Sequence, residues 1–324
     1  MSELQPASSR PSSRPVPLWR RPAVRWVGSA AVLGALLWAL PLNELRGAFA
    51  RIPARTWALA LPAYLCLHLA GATKWRLMVN AADGGLGWGA ALRCYGYGLF
   101  GNTFLPSVAG GDLVRAGLAT KLARSPSGVV VGSVADRVLD MAALTAVAGV
   151  GVALAHRSPA AGSAAIPIAA AVGLVVAGTS ACAAAFALPL RWIPKRLRRT
   201  WVRALRSFRT AAARPWRLAG ALMLGTFLQG SLALLNAWLG AACGIEVGWA
   251  AWLLVWPVAK LSAMLPVTQG GLGVREAALA ALFAPFGVAA GLVVAAGLAF
   301  QAVVFAGGLT AGALAHLLGR MARR

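Results

Sequence analysis

The chain has 324 residues, of which 59% are hydrophobic and only 12% charged, with a mean hydropathy of +0.71. A soluble domain carries about 45–50% apolar and about 25% charged residues, which excludes a soluble enzyme, a disulfide-stapled secreted domain and a disordered chain. The formal charge of +23 comes from 31 Lys and Arg against 8 Asp and Glu. These basic residues sit between apolar runs, where positive-inside topology and anionic head groups account for them and nucleic acid does not.

In chain order, residues 1–25 are rich in Pro, Ser and Arg and read as a disordered basic cytoplasmic tail. Apolar runs follow at 26–42, 56–72, 127–154, 164–190, 218–242 and 288–318, each long enough to cross a hydrocarbon core of about 30 Å as a helix. Two further stretches, 88–105 and 250–265, each end in Leu-Pro followed by Gly-Gly. The first run has a signal-peptide look, because Ala48-Phe49-Ala50 fits a small-residue cleavage site. Cleavage there would invert every later segment, and the charges oppose it.

Those charges set the topology. Between 191 and 217 lie ten basic residues and no acid, so this loop is expected in the cytoplasm. Its apolar positions, Ile193, Leu197, Trp201, Leu205 and Phe208, recur at helical spacing, as in a helix lying on anionic inner-leaflet lipid. The basic residues of 1–25 and 319–324 place both termini on the same side. Parity is satisfied only if 88–120 enters from the cytoplasm and returns, and 250–285 enters from the outer face and returns. Arg46, Arg51 and Arg55 oppose this, since their loop would face outward.

The two Leu-Pro segments form a repeat. Leu105-Pro106-Ser107-Val108-Ala109-Gly110-Gly111-Asp112-Leu113-Val114-Arg115 and Leu265-Pro266-Val267-Thr268-Gln269-Gly270-Gly271-Leu272-Gly273-Val274-Arg275 share Leu, Pro, Gly, Gly, Val and Arg in gapless register. Pro removes an amide donor and breaks a helix, while paired Gly permits positive φ and close backbone approach. Broken backbone at membrane depth survives only where it is buried in protein or lines a cavity. Corresponding interruptions in two halves point to a transporter site. The expected fold is an all-α polytopic membrane domain over 26–318, of about six spans plus two re-entrant helical hairpins, in inverted repeats 26–190 and 218–318.

Three motifs carry a family resemblance: Asn102-x-x-Leu105-Pro106 with Gly110-Gly111-Asp112-x-x-Arg115, then Asp136-Arg137-x-x-Asp140, then Leu265-Pro266 with Gly270-Gly271-x-Gly273-Val274-Arg275-Glu276. In this order they resemble the lysylphosphatidylglycerol synthase transmembrane-region family, the flippase-type membrane domain of multiple peptide resistance factors and their stand-alone relatives. The resemblance implies a membrane domain that binds or flips a lipid such as aminoacylated phosphatidylglycerol. Full-length synthases also carry a soluble aminoacyl-transferase domain, for which this chain has no segment, so an enzyme is not expected. The alternatives are a non-transporting scaffold for a separate lipid-modifying enzyme, or a membrane-embedded transferase using Asp136 and Asp140 as bases.

Seven ionisable residues fall in these motifs: Asp112, Arg115, Asp136, Arg137, Asp140, Arg275 and Glu276. Each would cost about 2.5–3.5 kcal/mol unpaired at the bilayer centre, so they must pair, face water or sit near an interface. Asp112–Arg115 and Arg137–Asp140 are three apart, while Asp136 and Asp140 share one helix face. Arg115 and Arg275 have the fork for a phosphate, and Asp136, Asp140 and Glu276 the charge for an ammonium. Together with Asn102 these form the candidate substrate site, held by hairpin residues Pro106, Gly110, Gly111, Pro266, Gly270, Gly271 and Gly273.

The expected partners are a membrane phospholipid or lipid-linked substrate and anionic inner-leaflet lipid. A lipid-modifying enzyme and a second copy of the chain stay open as further partners. Neither cofactor nor metal is expected: Cys66, Cys94, Cys182 and Cys243 lack metal spacing and read as buried apolar residues. Gly96-Tyr97-Gly98-Leu99-Phe100-Gly101 matches a dinucleotide pattern but follows no strand. His68 reads as a bundle-packing residue, and the expected location is the inner cell membrane.

Overall fold

The computed structural model describes residues 42–105, 110–155, 213–262 and 271–321, with scattered positions between 27 and 38, at 173 and between 202 and 210. Pro106, Pro266, Gly270, the 164–190 run apart from Gly173 and most of the 191–217 loop lie outside the described residues, as does the N-terminal tail. The described elements are all helical: α1 Leu42–Arg51, α2 Ala54–Ala81, α3 Trp88–Phe104, α4 Gly110–Ala119, α5 Pro126–Ala155, α6 Pro215–Ala242, α7 Trp249–Ser262, α8 Val274–Phe283 and α9 Ala290–Met321. Helices α2, α5, α6 and α9 are long and apolar enough to cross a membrane. Prolines open two of them: Pro126 and Pro215 stand at the first helical position, where the missing N–H has no helical partner to lose.

The chain folds the same four-helix series twice. Helices α2 and α6 both have 28 residues, α4 and α8 both have 10, α3 and α7 have 17 and 14, and α5 and α9 have 30 and 32. Packing follows this correspondence, with α3 against α9 of the other half and α7 against α5. Helices α2 and α6 cross with Gly71 near Leu228, Lys74 near Gly225 and Leu77 near Gly220, so equivalent helices run antiparallel.

Each pair of short helices doubles back. Gly98 of α3 faces Gly111 and Arg115 of α4, and Gly101 faces Gly111 and Val114. The pair starts and finishes at one end of the bundle, where the Arg124 N–H donates to the Gly84 carbonyl (2.9 Å). In the other pair, Trp252 of α7 packs on Phe283 of α8 (4.6 Å between rings) and Trp256 lies beside Arg275. It starts near the C-terminus of α6 and finishes at the N-terminus of α9, where Gly291 meets Glu44. That is the opposite end.

Small residues allow the close contacts. Gly96 meets Ala311 and Ala315, Gly308 meets Leu99 and Thr103, and Gly312 meets Phe100, the packing mode of helices surrounded by lipid. The dinucleotide-like glycine pattern thus serves helix packing, Gly96 against α9 and Gly98 and Gly101 against α4. Helix α2 extends nine residues beyond the predicted apolar run, because Lys74 finds carboxylate partners and needs no solvent. Cys94 and Cys243 are buried, but Cys66 is exposed on the outer face of α2.

Candidate functional site

The returning helices meet around a cavity of ≈ 210 Å³ in the middle of the bundle. Asn102, Gly111, Asp112 and Arg115 line it from one hairpin, Trp256, Lys260 and Arg275 from the other. Asp136, Arg137 and Asp140 reach it from α5, and Lys74 and Gln229 from α2 and α6.

The α3–α4 break is held by a side chain. Asn102 Oδ1 accepts the Gly111 N–H at 2.9 Å, satisfying one of the amides that a helix start leaves open. A Cβ on Gly111 would collide with the Gly98 carbonyl and with Asn102. Beyond it, Arg115 Nη2 contacts Asp112 Oδ1 at 3.0 Å and Asp136 Oδ2 at 2.8 Å. Arg137 binds Asp112 and lies 3.6 Å from Asp140 Oδ2.

Lys74, 2% exposed, lies between two carboxylates, 2.7 Å from Asp136 Oδ1 and 2.6 Å from Asp140 Oδ1. An isolated ammonium at such depth would be costly, and two carboxylates with further hydrogen bonds compensate it. From Asp140 a polar chain crosses to the other half. Gln229 Nε2 donates to Asp140 Oδ1 (3.3 Å), and Lys260 Nζ donates to Gln229 Oε1 (2.6 Å).

The second hairpin uses its motif differently. Gly273, at φ 86°, starts α8 and donates its N–H to Glu276 Oε2 at 2.7 Å, half of a capping box. Glu276 Oε1 accepts from Arg275 Nε at 3.1 Å, and Arg275 Nη2 also donates to the Gly297 carbonyl at 3.2 Å. Glu276 is fully buried and outside the cavity lining, so it positions Arg275 and faces no guest.

Each hairpin arginine also lies over aromatic rings. Arg115 stands 5.1 Å from the Trp75 ring and 5.4 Å from Tyr95; Arg275 stands 5.8 Å from Trp256 and 5.5 Å from Phe300. Such contacts fix a guanidinium without neutralising it.

Of the eight predicted site residues, seven line this one cavity and Glu276 stands behind it. The sequence reading missed Lys74, Gln229 and Lys260. Lys74 lies just past the apolar run assigned to its helix, and the other two are isolated polar residues in largely apolar helices. A charged or amide side chain within a largely apolar helix was the available signal. His68 lines the cavity as well, with Nδ1 3.1 Å from the Tyr95 hydroxyl.

Comparison with known families now decides the assignment. The family model described as lysylphosphatidylglycerol synthase TM region matches residues 25–312, nearly the whole chain. The chain belongs to this family. A lysylphosphatidylglycerol synthase TM region is a membrane domain related to lipid handling, in keeping with four apolar helices of spanning length. No curated protein matches the chain.

Proposed function

We propose that the protein is a lipid translocase, in which two re-entrant hairpins from opposite leaflets enclose the head group of a phospholipid or lipid-linked substrate. The observation that carries this reading is the joint lining of one central cavity by Arg115 of the first hairpin and Arg275 of the second. The antiparallel run of α2 and α6 supports inverted topology, the symmetry on which alternating access rests. The cavity of ≈ 210 Å³ has room for several waters. That suits a head group and leaves the acyl chains in the bilayer.

The motif charges suit a rocking device. Asp112 and Asp136 each bind cations from two different helices, so the network ties α2, α4 and α5 into one unit. Among the described residues, the chain Asp140–Gln229–Lys260 leads from it into α6 and α7. Movement of one half against the other would exchange these contacts at the cavity and leave the ion pairs within the first half intact.

The test is leaflet exchange in proteoliposomes carrying fluorescent phospholipids. Exchange above that of empty liposomes is expected, with at least about a tenfold loss in Arg115→Ala and Arg275→Ala, each group making charged hydrogen bonds of about 1.5–3 kcal/mol. Size-exclusion profiles confirm that the variants are folded. Exchange equal to empty liposomes across anionic, zwitterionic and aminoacylated lipids overturns the proposal in favour of a scaffold.

A further inference from the structure

The cavity repeats in geometry and differs in chemistry between the halves. Ten and fourteen residues into α5 stand Asp136 and Asp140; the same steps into α9 bring Phe300 and Val304. Fourteen residues into α2 stands His68, and into α6 Gln229. All six line the cavity. One wall is thus acidic and already neutralised, while the other is apolar and holds hydrogen-bond donors.

Each of the three aspartates is already ion-paired within the protein. Asp112 is bound by Arg115 and Arg137, Asp136 by Lys74 and Arg115, and Asp140 by Lys74, Arg137 and Gln229. Five cations (Lys74, Arg115, Arg137, Lys260 and Arg275) stand against four acids once Glu276 is included, one positive charge in excess. The excess belongs to Lys260. Its hydrogen-bond partner is an amide oxygen, and no carboxylate among the described residues pairs with it.

Two neighbours share this position. Trp256 lies one helical turn before Lys260 on α7, on the same face. Its indole N–H is buried and finds no acceptor among the described residues, whereas Trp75, under the other arginine, donates to Ser133 Oγ at 3.0 Å. Arg275, over the Trp256 ring, uses Nε and Nη2 within the protein and leaves Nη1 without an acceptor among the described residues. Donors on three neighbouring residues that line one cavity, with one charge in excess, suit an oxyanion.

We propose that Lys260, Trp256 Nε1 and Arg275 form a subsite for a phosphate monoanion, which makes the preferred guest a lipid with a net anionic phosphodiester head group and not an aminoacylated, cationic one. The aminoacyl ammonium would meet Lys260 with no acid to offset it. This proposal rests on the translocase reading for the lipid nature of the guest. Gln229 positions Lys260 by accepting one of its three N–H groups, leaving two for the phosphate.

The experiment is calorimetric titration of the full chain in phosphatidylcholine nanodiscs with four probes: inorganic phosphate, dihexanoyl phosphatidylglycerol, its lysyl ester and dihexanoyl phosphatidylcholine. Phosphatidylglycerol is expected to bind at least about tenfold more tightly than the other three. Lys260→Gln should remove about tenfold of that affinity, and Lys260→Arg should restore it. Trp256→Phe keeps the ring under Arg275 and should weaken phosphatidylglycerol alone. Equal or tighter binding of the lysyl ester, or unchanged phosphatidylglycerol affinity in folded Lys260→Gln and Trp256→Phe, overturns the subsite. Inorganic phosphate binding as tightly as phosphatidylglycerol overturns the lipid assignment. Leaflet exchange separates the two proposals. Lys260-dependent binding without exchange refutes translocation and upholds the subsite; exchange that favours the lysyl ester does the reverse.

Discussion

Lys74 shows what a single side chain does for this bundle. Its ammonium cancels charge on two carboxylates that would otherwise face each other on one side of α5 with Arg115 and Arg137 as their only cations. Lys74→Met removes a buried partner and keeps the volume, and breaking such a pair costs about 3–5 kcal/mol. A lower thermal midpoint in detergent, followed by fluorescence-detected size exclusion, is the expected result. Adding Asp140→Asn, which removes one uncompensated charge, should recover part of the loss. No gain from the second substitution would show that the two groups do not interact energetically. The motif acids were legible because Asp136 and Asp140 sit one turn apart. Their strongest partner was not, since Lys74 is 62 residues upstream of Asp136 and helical spacing says nothing about such a pair.

At the scale of elements, hairpin closure depends on where glycine stands. Gly111 has the Gly98 carbonyl and the Asn102 side chain where a Cβ would go, whereas Gly117, on the same helix, has nothing within 4 Å. Gly111→Ala should therefore separate α3 from α4 and cost about 1–3 kcal/mol. Gly117→Ala should raise stability by about 0.5–1 kcal/mol through lower chain entropy. Thermal midpoints of the two variants check this; equal values would mean that α4 does not lie against α3 as described. The sequence announced both short pairs because Pro and paired Gly cannot continue a helix. Their predicted stretches, 88–105 and 250–265, fall within three residues of the ends of α3 and α7. The end of α2 was misplaced for the opposite reason: a hydropathy window stops at a charge, while a helix whose charges pair inside the protein does not.

Across the whole molecule, the two ends of the bundle differ in basic residues. Arg76, Arg93, Lys121, Arg124, Arg214, Arg217 and Arg320 gather where α2 ends, and Arg214 Nη1 binds the Asn80 and Ala81 carbonyls there (3.2 and 3.1 Å) together with Asp83. The other end has Arg46, Arg51 and Arg55, with Glu44 beside them in the chain and the Arg51 guanidinium near Gly244, two residues before Glu246. Among the described helices and the short joins between them, seven stand against three, an asymmetry of the kind that orients a membrane protein, since basic residues and not net charge set the direction. Arg46, Arg51 and Arg55, which opposed the parity argument, are thus outnumbered, and the proposed topology puts the seven-residue end in the cytoplasm. Lys121 and Gly248 are exposed at opposite ends, and a Cβ at Gly248 meets nothing within 4 Å. In a background without native cysteines, Gly248→Cys should react with a membrane-impermeant maleimide on intact cells, and Lys121→Cys only after permeabilisation. Labelling of both from one side would place the hairpins in the same leaflet, and with that the two-sided cavity would lose the symmetry on which translocation depends.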